Sequence, residues 1–559
     1  MESKLESEIK LLSPEQVGVM SDQEMFLYFE KVLANPQKIQ MQVLMDILKE
    51  SAQTKIGKRY QFEDIKTIAD FQNKVPISEY DDYKNLIEEI AEHGSEDLLF
   101  PGKTKQFIAT SGTTGKPKLF PESQKGSAVK AQVSKIRAIK MMMMAKEVMA
   151  PEAKLLAIAN PAAYGETKAG IKIGSASGQA ASDLPPQLLK KMVLPVDLLL
   201  CRDLNNETID YLTMFYMMRE ENLVGVVSSN IAHFELLLDQ VRIHLDELTR
   251  DIEAGNFTDD HQIPEVLKKR LEENLLPDPS RAEKLRQTFL KSDSFPILEI
   301  WPGFTVIACW QSSSTGRVAR SFKSRIPEKI RFLEWGYGAS EGKFNIPDLI
   351  GDPAGPFADF GYFFEFLPLG SAKPKLLHEL EENKAYELII TSYSGLYRYN
   401  LKDIIWVKEI KGKMPRIQFL SKASEKLIVN GRDIFAYKLD QGLDEVSKDL
   451  DMGVHFYEVM FDQKKSALRF FIEPLDEKWD TSIYTAALEE KLQNMMPIYR
   501  KLREENSLHP LTIMQMANGY RNKKIKRSVM PGKNVNQTKL KTIIEEIPDN
   551  ADFAQIQGR

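Results

Sequence analysis

Hydrophobic positions recur at helical spacing along the first part of the chain: Leu27, Tyr28, Val32 and Leu33, then Val43, Leu44, Ile47 and Leu48, with Pro36 between the two runs. The pattern predicts helices on either side of that proline. From Asp97 the apolar stretches shorten and are broken by glycine and serine, as in strands and loops. A helical stripe through Ile209, Leu212 and Tyr216 is followed by the β-like run Leu223–Val227. A second stripe runs through Ile231, Phe234, Leu238, Val241 and Leu245. This alternation predicts an α/β fold with helices packed on sheets. Between Phe360 and Phe419 the helical period disappears, and GYFFEFLPL, AYELIITSYS, GLYRYNL and IIWVKEI read as consecutive antiparallel strands. From Ser424 a separate unit is expected, with VHFYEVMFD and ALRFFIEPL pairing as strands and TAALEEKLQNMM as a helix. Met141–Met144 are expected to fill core gaps from a helix.

At 559 residues the chain exceeds one ordinary domain; at roughly 150 residues per domain it holds about two to four. Its 43% hydrophobic and 28% charged content excludes disorder, collagen and coiled coil. Lys+Arg at 75 against Asp+Glu at 80 is too balanced to imply a nucleic-acid or membrane partner. Cys201 and Cys309 cannot build a disulfide framework or a cysteine zinc site, which fits a reducing compartment. The N-terminus MESKLESEIK has no apolar signal core, and no apolar run approaches the ~20 residues of a membrane span. A soluble, cytoplasmic enzyme is expected.

Candidate chemistry lies in three stretches. Thr110-Ser111-Gly112-Thr113-Thr114-Gly115-Lys116-Pro117-Lys118 follows the apolar run Phe107–Ala109. Hydroxyls interleaved with glycines after a strand can surround phosphate oxygens with N–H and O–H groups, and Lys118 adds positive charge. Only two residues separate its glycines, so it is not a Walker A loop, and a solvated turn is the plain alternative. Trp335-Gly336-Tyr337-Gly338-Ala339-Ser340-Glu341-Gly342 offers Tyr337 as a flat face for a base and Glu341 as a hard carboxylate for Mg²⁺. It also matches the glycine-x-serine-x-glycine elbow of hydrolases around Ser340. That motif needs a following helix, and KFNIPDLIGDPAGP cannot start one. In Gly395-Leu396-Tyr397-Arg398-Tyr399-Asn400-Leu401-Lys402-Asp403, the acid closing a strand can accept hydrogen bonds from ribose hydroxyls. Arg521–Lys541 holds eight Lys/Arg and no acid, but without interleaved aromatics it reads as a solvated face partly turned towards phosphates. The seven histidines show no metal-ligand spacing.

In order and spacing these motifs resemble the adenylate-forming superfamily of acyl-CoA ligases and luciferase. TSGTTGKPK is similar to its phosphate loop, YGASEG to its nucleotide motif and YNLKD to its ribose motif; Leu420–Ser424 to Gly431 resembles its hinge. The flanks FEDIKTIADFQNKVPISEYDDYKNLI, FFEFLPL, YELIITSYSGLYRY and GKNVNQTKLK narrow the resemblance to the auxin-responsive acyl-acid amido synthetases, of a bacterial type. The resemblance implies a large N-terminal domain over residues 1–423, with mixed sheets, helices and a small barrel-like β region. A small α+β domain on a hinge would span 424–559. It implies ATP and Mg²⁺ as cofactors, and a carboxylic acid and an amino acid or other amine as substrates. Ser111, Thr113 and Thr114 would hold phosphate, within a loop that includes Thr110, Gly112 and Lys118. Tyr337 would stack on adenine beside Gly338, Ala339 and Ser340, Glu341 would sit near Mg²⁺, and Asp403 would bind the ribose. Lys422 stands where the family has a hinge arginine, and Lys539 matches a family lysine that reaches the phosphates. Asn400 and Lys402 replace an arginine and a glycine before the ribose acid, and the acyl-pocket region around Ser312–Arg317 departs from the family pattern. The acid and the amine therefore stay unassigned. An acyl-CoA ligase of the same fold, a serine hydrolase built on Ser340 and a non-catalytic nucleotide-binding module are the alternatives.

Overall fold

The structure, a computed structural model, describes residues 10–110, 117–158, 165–175, 190–195, 198, 204–258, 261–475, 479–528, 540–549 and 552–554. The chain divides into two compact units. One comprises Met1–Ser229, Leu237–Trp310 and Lys329–Phe419, the other Asn230–Leu236, Gln311–Glu328 and Leu420–Arg559.

In the first unit, α1 (Asp22–Leu33) starts at a capping box. Ser21 Oγ accepts from the Glu24 N–H, and the Glu24 carboxylate accepts from the Ser21 N–H at 2.8 Å. Its buried face is Met25, Phe29 and Val32, whereas Leu27, read from the sequence as part of the stripe, is 51% exposed. Helix α2 (Pro36–Ser51) has proline in its first turn, where no N–H is needed, and buries Ile39, Val43, Leu44, Ile47 and Leu48. Among these, Gln40 accepts from the Phe364 N–H and donates to the carbonyls of Asp359 and Tyr362, which fixes the helix to the sheet beneath it. Helix α3 (Tyr80–His93) ends on Gly94 at φ 68°.

Strands β1 (Gln106–Ala109) and β2 (Leu119–Glu122) form an antiparallel hairpin, and helix α4 (Gln124–Met144) follows directly. Of the four methionines at its end, Met141, Met142 and Met144 pack against a core cluster. Met143 is 52% exposed, so only three of the four serve the core. A four-stranded parallel sheet is built in the order β3 (Lys154–Ile158), β4 (Leu223–Ser228), β5 (Val306–Cys309) and β6 (Arg331–Glu334). Helix α5 (Asn206–Arg219) lies between β3 and β4 in the chain. It buries Tyr211, Leu212, Phe215 and Met218, whereas Ile209 and Tyr216 of the expected stripe are only half-buried. A helix covered on most sides has no single stripe for periodicity to find.

The stretch from 355 to 422 is the expected strand-rich region. Its main strands are β7 (Tyr362–Pro368), β8 (Lys384–Ser392), β9 (Tyr399–Lys411) and β10 (Met414–Lys422). They lie in that order in a six-stranded sheet with Lys375–Leu376 and Gly355–Pro356 at its two ends. The pairs β7–β8 and β8–β9 are antiparallel. GLYRYNL and IIWVKEI, read as two strands, share one: β9 takes the last three residues of the first and all of the second.

In the second unit, β11 (Val454–Asp462) and β12 (Ala467–Pro474) pair antiparallel, and β13 (His509–Gln515) joins β12 in parallel. Helices α6 (Ala436–Leu450) and α7 (Thr481–Met495) close the core through Leu439, Leu443, Leu488 and Leu492 against Val459, Phe470 and Ile472. The helix Tyr520–Ser528 carries the first five of the eight basic residues of that run. There Arg521 pairs with Glu235, Lys524 with Glu458 and Arg527 with Asp552, so much of its charge is already matched.

Candidate active site

Three loop ends, far apart in the chain, converge in the first unit. The first is the neck of the β1–β2 hairpin. Register places Ala109 opposite Leu119. The Thr110 N–H then donates to the Lys118 carbonyl at 2.9 Å, and the Lys118 N–H donates to Thr110 Oγ1 at 3.1 Å. Residues 111–116, which include Ser111, Gly112, Thr113 and Thr114, lie outside the described residues. The Lys118 ammonium lies 4.9 Å from the centre of the Tyr80 ring. Tyr80 in turn accepts from the Leu119 N–H at 3.1 Å, which pins the neck to α3.

The second is the loop leaving the carboxyl end of β6, the edge at which parallel sheets collect their ligands. Ala339 N–H donates to the Gly342 carbonyl at 2.8 Å, Gly342 N–H returns to Ala339 at 3.3 Å, and Gly338 bridges Lys343. Ser340 and Glu341 therefore form the tip of a tight hairpin. A Cβ on Gly342 would lie 2.5 Å from the Phe344 ring and 2.8 Å from that of Tyr362, so only glycine closes it. No helix follows, and Ser340 Oγ donates to the Ala109 carbonyl at 3.3 Å. That geometry is not a nucleophile elbow, and it ties this tip to the hairpin neck.

The third is β9. Glu387 pairs with Ile404 and Ile389 with Asn400, so Leu401, Lys402 and Asp403 all stand opposite Leu388. Such a bulge re-aims side chains and is a recurrent device beside sites. Lys402 takes φ 55° to make it, and its N–H donates to Asn400 Oδ1 at 2.8 Å. The glycine that the resemblance expects at this position is thus explained by backbone conformation, with the Asn400 side chain supporting lysine in its place.

Tyr337 and Asp403 meet. The buried phenol donates to Asp403 Oδ2 at 2.7 Å, and the Tyr337 ring stacks on Phe419, with centroids 5.1 Å apart and planes 14° from parallel. Burial pushes the Tyr337 hydroxyl far above the usual phenol range, and the fields of Asp403 and Glu341 add to it. The same causes raise Tyr399. Glu341 thus acts electrostatically on both tyrosines while itself buried. Lys422 belongs to the second unit, where its N–H and carbonyl both bond to Glu425, and Lys539 lies outside the described residues.

Sequence reasoning did not name Lys130, Arg137 and Asn345, which hold the second loop from behind. Arg137 donates to the carbonyls of Tyr337 and Asn345 at 2.7 and 2.9 Å, and Asn345 Oδ1 accepts from the Tyr337 N–H at 2.8 Å. The available signal was two cations bordering the Val129, Val133 and Ile136 stripe of α4, a place where a surface helix carries solvated charge.

Comparison with known proteins bears on the family and the fold. Jasmonoyl–L-amino acid synthetase of Nicotiana attenuata is 25% identical over 445 residues, 74% of each chain. An indole-3-acetic acid-amido synthetase of Arabidopsis thaliana is 24% identical over 575 residues, covering 93% of this chain and 91% of its own. Among solved structures, the GH3.15 acyl acid amido synthetase in complex with 2,4-DB superposes with a TM-score of 0.80. It does so at 17% identity, over 96% of this chain and 95% of that one. A 2-hydroxyisobutyryl-CoA ligase gives a TM-score of 0.50 at 10% identity, over 91% and 89% of the two chains. Models of the GH3 family match in chain order: its N-terminal domain over residues 27–330, its central domain over 356–422 and its C-terminal domain over 437–547. The chain belongs to the GH3 family.

Proposed function

We propose that the protein is an acyl-acid amido synthetase, which activates a carboxylic acid with ATP and transfers the acyl group to the amine of an amino acid. The observation that carries this reading is the convergence of the hairpin neck, the Ser340–Glu341 tip and the Asp403 bulge within one hydrogen-bonded cluster. The names of the relatives, a jasmonoyl–L-amino acid synthetase and an indole-3-acetic acid-amido synthetase, point the same way.

A carboxylate is a weak electrophile, and its charge repels a nucleophile. In the first step its oxygen attacks the α-phosphorus of ATP and pyrophosphate departs. In the second the amine attacks the acyl carbon, gives up a proton, and AMP leaves. The first step brings two anions together, so the site must supply preorganised positive charge and hydrogen-bond donors. In this reading the 110–118 loop, with Ser111, Thr113, Thr114 and Lys118, takes the phosphates. Asp403 takes the ribose hydroxyls and Tyr337 the base. Among the described residues no group of three or more acids, histidines or cysteines is placed to hold a metal. That fits Mg²⁺, which is commonly bound by one or two carboxylates together with substrate phosphates and water. Glu341 would hold it, and the ion would neutralise charge on the phosphates. The reading places a domain boundary near residues 423 and 424, with Lys422 at the hinge and Lys539 carried in and out by the small domain.

A cytoplasmic setting suits an ATP-consuming reaction, and Cys309 is a buried free thiol. No described helix is long and apolar enough to cross a membrane. Neither membrane nor nucleic acid is proposed as a partner.

Purified protein should release pyrophosphate and catalyse ATP–pyrophosphate exchange only when a suitable acid is present. Adding amino acids should then yield an amide by mass spectrometry. Exchange followed by thioester formation with CoA, and no amide, would reassign it as a ligase of the acyl-CoA type. ATP binding without exchange across a broad acid panel would reduce it to a nucleotide-binding module.

A further inference from the structure

Helix α4 turns one line of side chains towards the loop that carries Tyr337 and Glu341. Lys130, Ser134 and Arg137 are four and three residues apart, a spacing that stacks side chains along one helix face. Each takes hold of a different point. Lys130 Nζ donates to the Ser340 carbonyl at 2.9 Å and pairs with Glu122 of β2 at 3.0 Å, with both side chains buried. Ser134 Oγ pairs with the Lys343 ammonium. Arg137 grips the carbonyls of Tyr337 and Asn345 from one guanidinium.

Burying a guanidinium is expensive, and Arg137 forms its hydrogen bonds to this loop's carbonyls rather than to a carboxylate. A residue needed only for packing would be a leucine. Burial draws its pKa down to about 10, against the field of Glu334, so it stays charged at neutral pH. Gly336 makes room for it: at φ 101° a Cβ there would lie 2.5 Å from the Arg137 guanidinium carbon. Lys130 meanwhile joins the hairpin arm of the 110–118 loop to the Ser340–Glu341 tip, so one helix sets the spacing between the two loops.

We infer that Lys130 and Arg137 are positioning residues for adenylation, through which α4 fixes Tyr337 and Glu341 relative to the neck of the β1–β2 hairpin. The inference rests on the nucleotide reading of this site.

Arg137→Lys tests it, because an ammonium keeps the charge but loses the planar fork that spans two carbonyls. Val133→Ala is the control: the same helix, fully buried, and a comparable loss of stability without a lost bond to the loop. Two readouts are needed. In ATP–pyrophosphate exchange, R137K should lose about 10²-fold in kcat, as expected for a misplaced group, while V133A stays within about threefold of wild type. In hydrogen–deuterium exchange, residues 336–346 should exchange faster in R137K and as in wild type in V133A. If R137K cannot be purified folded, Lys130→Met, which removes the bond to the Ser340 carbonyl, is read in the same way. Unchanged protection of 336–346 overturns the positioning role whatever the rate. A loosened loop with an unchanged rate overturns its link to adenylation. Wild-type protein without acid-dependent exchange would defeat the functional reading, while the deuterium result would still decide whether α4 holds the loop.

Discussion

Single residues carry two predictions with opposite signs. Lys402 sits in the left-handed region, which costs a side chain roughly 1–2 kcal/mol and glycine almost nothing in the fold. Its ion pair with Glu79 is largely exposed and offsets little. Lys402→Gly should therefore stabilise the protein by about 0.5–1 kcal/mol after glycine's own entropy cost, visible as a higher Tm with exchange activity retained. A lower Tm would mean that the pairing with Glu79 outweighs the backbone. His455 works the other way. Burial, reinforced by Arg521 beside it, holds its pKa down to about 4 despite Glu235. Arg521 can only donate, so the Nε2 facing it at 3.2 Å accepts, and Nδ1 carries the proton given to Ser321 Oγ. The fold thus favours the neutral ring. Its contribution is complete above pH 6.5, the unfolded value, and is lost as pH falls towards 4, by about 3 kcal/mol at most. Urea midpoints measured from pH 7 to 4 should fall for wild type and flatten over that window in His455→Gln. Parallel curves would show that other groups set the slope.

Among elements, the hairpin tip is the most sensitive. Gly342→Ala forces a Cβ onto the buried rings of Phe344 and Tyr362, an overpacking that costs about 1–3 kcal/mol. It should also weaken ATP binding, because Tyr337 and Glu341 hang on that turn; calorimetry giving an unchanged ATP Kd would separate the turn from the site. Helix α2 was legible in the sequence because it buries one face, and Ile39, Val43, Leu44, Ile47 and Leu48 follow helical spacing. Strands β7, β11 and β12 are buried on both faces and were legible as short apolar runs rather than by alternation. The stripe of α5, a helix covered on most sides, was only partly legible. The bulge in β9 was hidden for another reason. Where the family pattern expects glycine, this chain has lysine, and the left-handed backbone is supported by the Asn400 side chain.

At the scale of the whole molecule, the motifs announced which residues would meet but not what holds them. Tyr337, Glu341 and Asp403 were marked by type and spacing in the chain, and the fold brings the loops that bear them together. The hydrogen bond from Tyr337 to Asp403 and the grip of Arg137 join residues 66 and 200 positions apart. Neither contact is written in local pattern, since each depends on sheets and helices closing over intervening sequence.

A crystal structure with ATP and Mg²⁺ decides whether one nucleotide is enclosed by all three loops. The base is expected on Tyr337, the ribose hydroxyls on Asp403, and the phosphates over the 110–118 loop with the ion at Glu341. A nucleotide bound elsewhere, or touching one of these loops alone, would rule the shared site out.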